Sequence, residues 1–315
     1  MSPQNMMIVD LDAGTDDAHA LLMLLAADKR QEIKLMGVTC VNGNTSMKNV
    51  CLNVLRILRS VNRLDIPVFC GAVDPLILPN PAAPIVSFPS FHGSDGFGDA
   101  NLPNPPDINL VKSENAICAL NRIVSENPGQ LTLVCLGPLT NIALAIKTFP
   151  NFLTQVRDVY IMGGNSSGLG NMTPSAEFNF FHDPESAHIV LECAQKPLVI
   201  LPWEACLNRG ISFEWRNKVL GAIESPQMEL MNAAEHDIWK DYSEWLPCDA
   251  LLTAVALHPQ AGKGKLCHMS VELSGWKTRG QSVIDSKHGK PNVNLLEEVD
   301  LEVLKKLLIL AMEKY

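Results

Sequence analysis

The stretch Ile8-Val9-Asp10-Leu11-Asp12-Ala13-Gly14-Thr15-Asp16-Asp17 decides the fold of this 315-residue chain. It begins in an apolar run that predicts a buried strand, and it leads into a second apolar run, residues 18–25, that predicts a buried helix. The four aspartates therefore lie in the turn at the carboxyl end of a strand, which is where open α/β sheets bind their ligands.

These four carboxylates carry more negative charge than a helix terminus can offset. Two carboxylates about 4 Å apart repel each other by roughly 4 kcal/mol at an effective dielectric constant of about 20. A helix N-terminus returns only about 0.3–1 kcal/mol for each acid. One aspartate at this place would be an ordinary N-cap, but four indicate a bound hard cation such as Ca²⁺ or Mg²⁺.

Strand-like and helix-like patterns alternate over the first two-thirds of the chain. The predicted strands are residues 6–10, 35–41, 67–70, 131–136, 156–162, 198–201, 266–273 and 282–285. The predicted helices are residues 16–27, 46–60, 113–125, 140–147, 184–193, 213–223, 227–245, 249–257 and 301–314. This order predicts an α/β, Rossmann-like fold, with a mostly parallel central sheet, helices on both faces and a single domain over residues 1–315. A loop rich in proline and glycine interrupts the pattern from residue 74 to about residue 107.

The charge and the composition of the chain limit the kinds of partner that we expect it to bind. The net charge of −9 argues against nucleic acid, because phosphate binding needs basic surface. No run of Lys or Arg suggests a membrane surface, and no apolar stretch reaches the roughly 20 residues of a membrane span. The first residues do not resemble a signal peptide, and the nine cysteines show no CxxC spacing. We therefore expect a cytoplasmic protein with reduced thiols.

Four further motifs follow the aspartates. They are His92-Gly93-Ser94-Asp95-Gly96 in the long loop, Leu136-Gly137-Pro138-Leu139-Thr140-Asn141, Met162-Gly163-Gly164 with Asn171 and Glu177-Phe178-Asn179, and Pro247-Cys248-Asp249. In an extended backbone, Glu177 and Asn179 would point to the same side, where an amide and a carboxylate suit vicinal hydroxyls. Each motif also has an ordinary interpretation: a surface histidine, a strand-to-helix turn, a glycine-rich loop, or an N-cap at Asp249.

Taken together, these motifs resemble, in order and spacing, the inosine–uridine-preferring nucleoside hydrolases over nearly the whole chain. The resemblance implies Ca²⁺-dependent hydrolysis of the N-glycosidic bond of ribonucleosides, which releases free base and ribose, and it implies a homodimer or homotetramer. Ca²⁺ would be held by the carboxylates of Asp12, Asp17 and Asp249 and by the backbone carbonyl of Leu136. Asp12 would also be the general base on the metal-bound water. Asp10 would brace the loop from behind.

The resemblance likewise implies the residues that bind the substrate. Asp16 would bind a ribose hydroxyl, Asn44 and Asn179 would hold the 2′ and 3′ side, and Glu177 and Asn171 would hold the 5′-hydroxyl. Phe178 lies between two of these residues. Aromatic side chains would contact the leaving base, although for each tryptophan helix packing is the alternative. The aromatic candidates are Phe91, Phe97, Trp239, Tyr242 and Trp245.

The sequence departs from the family pattern at two places. Many members have a histidine just before the last metal aspartate, proposed to protonate the leaving base, and Cys248 stands there in this chain. A thiol has an ordinary pKa near 8.5, against about 6.5 for imidazole, so Cys248 is the poorer acid. His92 and His236 are alternative proton donors. The second departure is Pro202-Trp203-Glu204, where the direction of the Glu204 side chain cannot be predicted.

Two other functions are consistent with parts of this pattern. A non-catalytic nucleoside or ribose binder would explain Cys248 in place of histidine. An aspartate-nucleophile phosphohydrolase would use Asp10 after the first strand, but it would leave Glu177 and Asn179 unexplained. Release of free ribose from inosine or uridine distinguishes these alternatives from a nucleoside hydrolase.

Overall fold

Nine strands form one sheet in this computed structural model, which describes residues 5–78, 91–285 and 287–314. The strands are β1 (Asn5–Leu11), β2 (Ile33–Cys40), β3 (Val68–Cys70), β4 (Leu131–Cys135), β5 (Asp158–Met162), β6 (Leu198–Leu201), β7 (Gly262–Val271), β8 (Ser282–Asp285) and β9 (Val293–Val299). Their order across the sheet is β3-β2-β1-β4-β5-β6-β9-β7-β8. All pairings from β3 to β9 are parallel, and β7 pairs antiparallel with β9 and β8.

Helices connect the strands and cover the sheet. They are α1 (Thr15–Lys29), α2 (Met47–Ser60), α3 (Ala116–Glu126), α4 (Thr140–Thr148), α5 (Phe152–Gln155), α6 (Phe178–His182), α7 (Pro184–Glu192), α8 (Trp203–Leu207), α9 (Phe213–Trp215), α10 (Pro226–Ala234), α11 (Cys248–Leu257) and α12 (Leu301–Met312). A π-helical turn, Arg216–Leu220, follows α9. No helix in the described ranges has both the length and the apolar character needed to cross a membrane.

The apolar core has two parts, one on each face of the sheet. Helices α1, α2, α10, α11 and α12 supply the larger cluster, and α3, α4 and α7 supply the other. Helix α1 lies deep in the larger cluster, with all residues from Ala18 to Ala27 buried. It packs against α11 and α12. The predicted fold class, a mostly parallel sheet with helices on both faces, is confirmed.

The order of strands places a crevice between β1 and β4. The connections from β1 lead to β2 and β3 on one side, and those from β4 lead to β5 and β6 on the other. At such a switch point the loops diverge and leave room for a ligand outside the carboxyl ends of the strands. Asp12 follows β1 and Leu136 follows β4, so both lie at this crevice.

The sequence-based prediction missed the short helices α5, α6 and α8, and it differs from the structure at four further elements. Helix α3 begins at Ala116 and not at 113, because Asn115 caps it by accepting a hydrogen bond from the Ile117 N–H. The predicted helix 213–223 is only the short α9 and a π turn. The predicted helix 227–245 ends at Ala234. Strand β9 was missed altogether, although it lies inside the sheet between β6 and β7. The part of the long loop at residues 79–90 lies outside the described residues.

Candidate metal and nucleoside site

Asp12 lies in the turn after β1. The backbone of the turn and the close contact with residues 43 and 44 fix the position of its side chain. Ala13 has φ of +51°, a left-handed conformation that is uncommon for a residue with a side chain. The Asp12 Oδ2 atom accepts a hydrogen bond of 2.8 Å from the Asn44 backbone N–H. A side chain at Gly43 would overlap this same carboxylate. Asp12 is therefore held in one place, 1% exposed, at the floor of the crevice.

Three other aspartates converge beside Asp12. Asp16, Asp17 and Asp249 each place a carboxylate oxygen so that these oxygens lie within 4.8 Å of one another. Asp16 and Asp17 begin α1, and Asp249 begins α11. The Gly14 N–H donates to Asp17 Oδ2 at 2.8 Å, whereas Asp17 Oδ1 is buried and has no hydrogen-bond partner among the described residues. Residues from opposite ends of the chain thus form one acidic cluster.

The charges in this cluster are not compensated. Burial is the main reason that the pKa of Asp12 and of Asp249 lies well above its usual value, and the neighbouring aspartates raise both further. Burial also raises the pKa of Asp17, to about 8, with Asp16 adding to the effect. The charges that act on Asp249 are all acidic groups: Asp16, Asp17, Cys248 and Asp12. An arrangement of this kind favours a cation with oxygen ligands.

Asp10 lies behind the cluster, as predicted for a bracing residue. Its Oδ2 atom accepts hydrogen bonds from the Thr39 hydroxyl at 2.6 Å and from Asn141 Nδ2 at 2.8 Å. Burial raises the pKa of Asp10 to about 7, although these two bonds lower it. Asn141 also donates to the Cys40 carbonyl at 3.0 Å and accepts from the Ala72 N–H at 2.8 Å, so it joins the ends of β1, β2 and β3. The sequence places Asn141 in a motif without a role, and nothing in the local pattern around Thr39 predicts its bond to Asp10.

The segment from Glu177 to Asn179 is the start of α6 and not extended backbone, so that part of the prediction was wrong. Glu177 is the N-cap, and its carboxylate accepts from the N–H groups of Gly164, Asn179 and Phe180 at 2.8–3.1 Å. Burial raises its pKa to about 7. Both Glu177 and Asn179 are nevertheless buried at the crevice.

Asn179 connects the two strand ends that border this part of the site. Its Nδ2 atom donates to the Leu136 carbonyl at 2.8 Å and to the Met162 carbonyl at 3.1 Å. A carbonyl oxygen has two lone pairs, so the Leu136 oxygen keeps one for a metal. Asn171 is exposed and accepts from the Phe178 N–H at 2.8 Å, which ties its loop to α6. Phe178 itself is half-buried and lies against His182.

His92 lies against the acidic cluster. Its Nδ1 atom accepts a hydrogen bond of 3.2 Å from the Thr15 N–H, and its Nε2 atom lies 3.4 Å from Asp16 Oδ1. Because the Nδ1 atom of His92 accepts a hydrogen bond, the neutral imidazole carries its proton on Nε2, which faces Asp16. Burial lowers the pKa of His92, which is 7% exposed. His236, in contrast, is exposed and pairs with Asp237.

Cys248 is buried next to Asp249, one of the aspartates of the acidic cluster. Its thiol donates to the Leu246 carbonyl at 3.5 Å and lies in contact with the thiol of Cys206. Contact with Cys206 and burial hold the pKa of Cys248 well above its usual value. The group is therefore a neutral thiol near pH 7, a weak acid for a leaving base.

The aromatic candidates separate into two groups. Trp245 and Phe97 are fully buried, and their contact with a base stays a prediction. The Trp245 ring packs edge-on against His19 and its Nε1 donates to Glu235. Phe91, Trp239 and Tyr242 form a cluster with ring centroids 5.0–5.5 Å apart, and Phe91 also packs against His92. Trp239 and Tyr242 also line a cleft of about 530 Å³, whose lining includes Arg216 and Glu235 and none of the four aspartates.

Fold and site together define a Rossmann-like enzyme with a buried acidic cluster at the switch point of its sheet. The profile of one family, the inosine-uridine preferring nucleoside hydrolases, matches residues 7–306. The chain belongs to this family and is a nucleoside hydrolase. The predicted resemblance is thereby confirmed.

Individual relatives agree with this assignment. The chain is 31% identical over 311 residues to the pyrimidine-specific ribonucleoside hydrolase RihA of Klebsiella pneumoniae, covering 96% of each chain. It is 37% identical over 267 residues to the probable uridine nucleosidase 2 of Oryza sativa subsp. japonica, covering 83% of this chain and 73% of the relative. Among solved structures, an inosine-guanosine nucleoside hydrolase superposes with a TM-score of 0.90 at 27% identity, covering 99% of both chains.

Proposed function

We propose that this enzyme hydrolyses the N-glycosidic bond of pyrimidine ribonucleosides, with uridine as its main substrate, in a reaction that depends on Ca²⁺. The convergence of Asp12, Asp16, Asp17 and Asp249 in one buried cluster carries the proposal. The preference for uridine rests on the names of the rice and Klebsiella relatives. Family membership argues against a phosphohydrolase, and the release of ribose distinguishes a hydrolase from a non-catalytic binder.

The residues of the cluster fit a hard divalent cation. Asp12, Asp17, Asp249 and the Leu136 carbonyl would hold it, because all offer oxygen and Asp17 Oδ1 is buried without a partner among the described residues. When bound, Ca²⁺ would supply positive charge and Lewis acidity at the sugar diol.

Asp12 is the general base of the proposed reaction. Its fixed carboxylate, held by the Asn44 N–H, takes a proton from the attacking water. The water oxygen bonds to C1′ of the ribose, and the C1′–N bond breaks with its electron pair passing to the base. Positive charge grows on the ribose ring during this step, and the nearby carboxylates stabilise it.

The sugar lies between the acidic cluster and α6 in this proposal. Asp16 and Asn44 bind the hydroxyls on the side of β1, and Asn179 binds them from α6. Glu177 has an acceptor position left for the 5′-hydroxyl, because a carboxylate offers about four lone-pair sites and only three N–H groups use them here. Asn171 is the second contact for the 5′-hydroxyl.

The base lies against Phe91, Trp239 and Tyr242. This cluster contacts His92, which borders the acidic cluster, so it is in line with the sugar position. The Trp239 Nε1–H is buried and has no acceptor among the described residues, which suits a carbonyl oxygen of a pyrimidine. The raised pKa of the buried Cys248 thiol makes it a weak acid. The lowered pKa of His92 means that little of it is protonated near neutral pH, so it seldom has a proton to donate.

We also propose that the enzyme works in a reducing compartment and that it forms a homo-oligomer. All nine cysteines are free thiols, including the contacting pair Cys206 and Cys248. This supports a cytoplasmic location. A homodimer or homotetramer remains a proposal from the resemblance, and light scattering at working concentration tests it.

Release of free ribose tests the proposed function. With Ca²⁺ present, the enzyme should hydrolyse uridine at least about tenfold more efficiently, in kcat/KM, than inosine. Direct attack by water inverts C1′, so the first ribose observed by proton NMR should be the α anomer. A preference for inosine would overturn the choice of uridine. Binding without ribose release from any nucleoside would overturn the catalytic proposal.

A further inference from the structure

The loop between β5 and α6, residues 163–177, is held from outside by one carboxylate. Glu204, in the short helix after β6, accepts hydrogen bonds from the backbone N–H groups of Ser166 at 2.7 Å, Ser167 at 2.8 Å and Leu169 at 3.2 Å. The Ser167 hydroxyl adds a fourth bond at 2.9 Å. Burial raises the pKa of Glu204, but these bonds outweigh burial and the pKa lies below its usual value.

This part of the loop has little apolar packing of its own. Ser166, Ser167 and Leu169 are all exposed. Three backbone N–H groups converging on one point form a concave anion-binding surface, and the Glu204 carboxylate fills it. Bonds to an ionised acceptor are roughly twice as strong as neutral ones. Glu204 therefore orders the exposed arm of the loop.

A second residue holds the same loop from inside. Asn165 is fully buried, and its Nδ2 atom donates to the carbonyls of Leu169 and Ser175. Leu169 is thus fixed by Asn165 through its carbonyl and by Glu204 through its N–H. The Trp203 N–H donates to the Gly164 carbonyl at 3.0 Å, which joins the helix of Glu204 to the root of the loop.

The ordered loop leads directly to the residues proposed for the 5′ end of the sugar. Asn171 lies two residues beyond Leu169, and its side chain accepts from the Phe178 N–H. Glu177 closes the loop and accepts from the Gly164 N–H at 2.8 Å. Displacement of residues 166–169 would therefore move Asn171 and loosen the contact at Gly164.

We propose that Glu204 is a positioning residue for recognition of the substrate 5′-hydroxyl, acting through residues 166–171 and without touching the substrate. The inference rests on the proposed function, in which Asn171 and Glu177 bind that hydroxyl. This role in substrate recognition would account for the difference from the family pattern at Pro202-Trp203-Glu204.

Paired substrates test the proposal. In the Ca²⁺-loaded enzyme, Glu204→Gln should lower kcat/KM for uridine about tenfold, mainly through KM, because a charge-assisted hydrogen-bond set is lost. The same variant should change kcat/KM for 5′-deoxyuridine by less than about twofold. Glu214→Gln, which removes an exposed glutamate paired with Lys218, is the matched control and should leave both substrates unchanged.

Equal losses for uridine and 5′-deoxyuridine would overturn the proposal, because they indicate general damage to the site. No loss for either substrate would overturn it as well. Hydrogen exchange of peptides that span residues 163–177 provides a readout independent of activity: exchange should accelerate in Glu204→Gln and not in Glu214→Gln. If the wild-type enzyme releases no ribose from any nucleoside, the proposed function fails, and the exchange result still decides whether Glu204 orders the loop.

Discussion

Helix α1 contacts a cluster of acids at its start and a single buried acid about one turn later, and the two have opposite surroundings. At the start of α1, Asp16 and Asp17 meet Asp12 and Asp249, and burial together with mutual repulsion raises the pKa of Asp12, Asp17 and Asp249. About one turn further along, His19 meets a single buried acid, Glu235.

Glu235 has all the partners that the aspartates lack. Its carboxylate accepts from His19 at 3.2 Å, from Arg216 at 2.6 and 2.9 Å, and from Trp245 at 3.1 Å. Burial would raise the pKa of Glu235, but His19 and Arg216 outweigh burial and lower it to about 2. A buried acid with its counter-charge supports the fold, whereas buried acids without one mark a place for a cationic ligand.

The largest effect is expected from Asp12→Asn, which keeps the size of the side chain and removes the base. We expect kcat for uridine to fall roughly 10³–10⁴-fold. Steady-state ribose release measures it, and far-UV circular dichroism checks the fold. A kcat within about tenfold of wild type would remove Asp12 from the role of base.

For the paired acid Glu235, we expect Glu235→Gln to lower the stability of the fold. Arg216 would remain buried without its anion, so we expect the free energy of unfolding to fall by about 3–5 kcal/mol. Urea unfolding measures this loss. Glu229→Gln on the exposed side of α10 is the matched control, with an expected change below about 0.5 kcal/mol. A similar loss in both variants would mean that the pairing of Glu235 is unimportant.

The pH dependence of the free energy of unfolding tests the same network in the wild-type protein, without a substitution. The pKa of Glu235 is lowered from 4.5 to about 2 in the folded protein. Its contribution is therefore complete above pH 4.5, and it is lost as the pH falls from there toward 2. We expect about 3 kcal/mol to be lost over this window. Urea unfolding should show this component in the wild type and not in Glu235→Gln.

Calcium should stabilise the acidic cluster and leave the Glu235 network unaffected. Adding Ca²⁺ to protein stripped with EDTA should raise the free energy of unfolding by about 2.7 kcal/mol at a hundredfold excess over Kd. Asp249→Asn should lose most of this gain, and Glu235→Gln should keep it. An equal response to Ca²⁺ in wild type and Asp249→Asn would contradict the assigned ligands.

Local patterns predicted most elements, and the errors have physical causes. The apolar runs around Asp10 and Asp17 gave β1 and α1 to within a few residues. The helical pattern after Gln227 extended too far, because Glu235 turns inward to Arg216 and Trp245 forms a bridge with Ile211. In strand β9 the alternation of apolar and polar residues breaks at Leu295-Leu296 and Glu297-Glu298, and the strand takes its place from pairing with β6 and β7.

Tertiary contacts also decided which candidate side chains reach the crevice. Both Trp239 and Trp245 fitted a base-binding wall in the sequence, yet Trp245 is fully buried against His19 and Glu235. Glu177 and Asn179 reach the crevice through a helix start and not through an extended strand. No local pattern distinguishes these cases, because each depends on a partner distant in the chain.

The sequence by itself determined the sheet class and placed a run of aspartates in the turn after the first strand, because apolar periodicity and a run of aspartates are local properties. Only the tertiary structure decided which acids lack a counter-charge and which are paired. That difference depends on Asp249 and Arg216, which lie more than 180 residues from α1 in the chain. In space, Asp249 lies beside Asp16 and Asp17, and Arg216 reaches His19 of α1 through Glu235. Electrostatic energy depends on distance in the folded protein, and sequence separation does not reveal it.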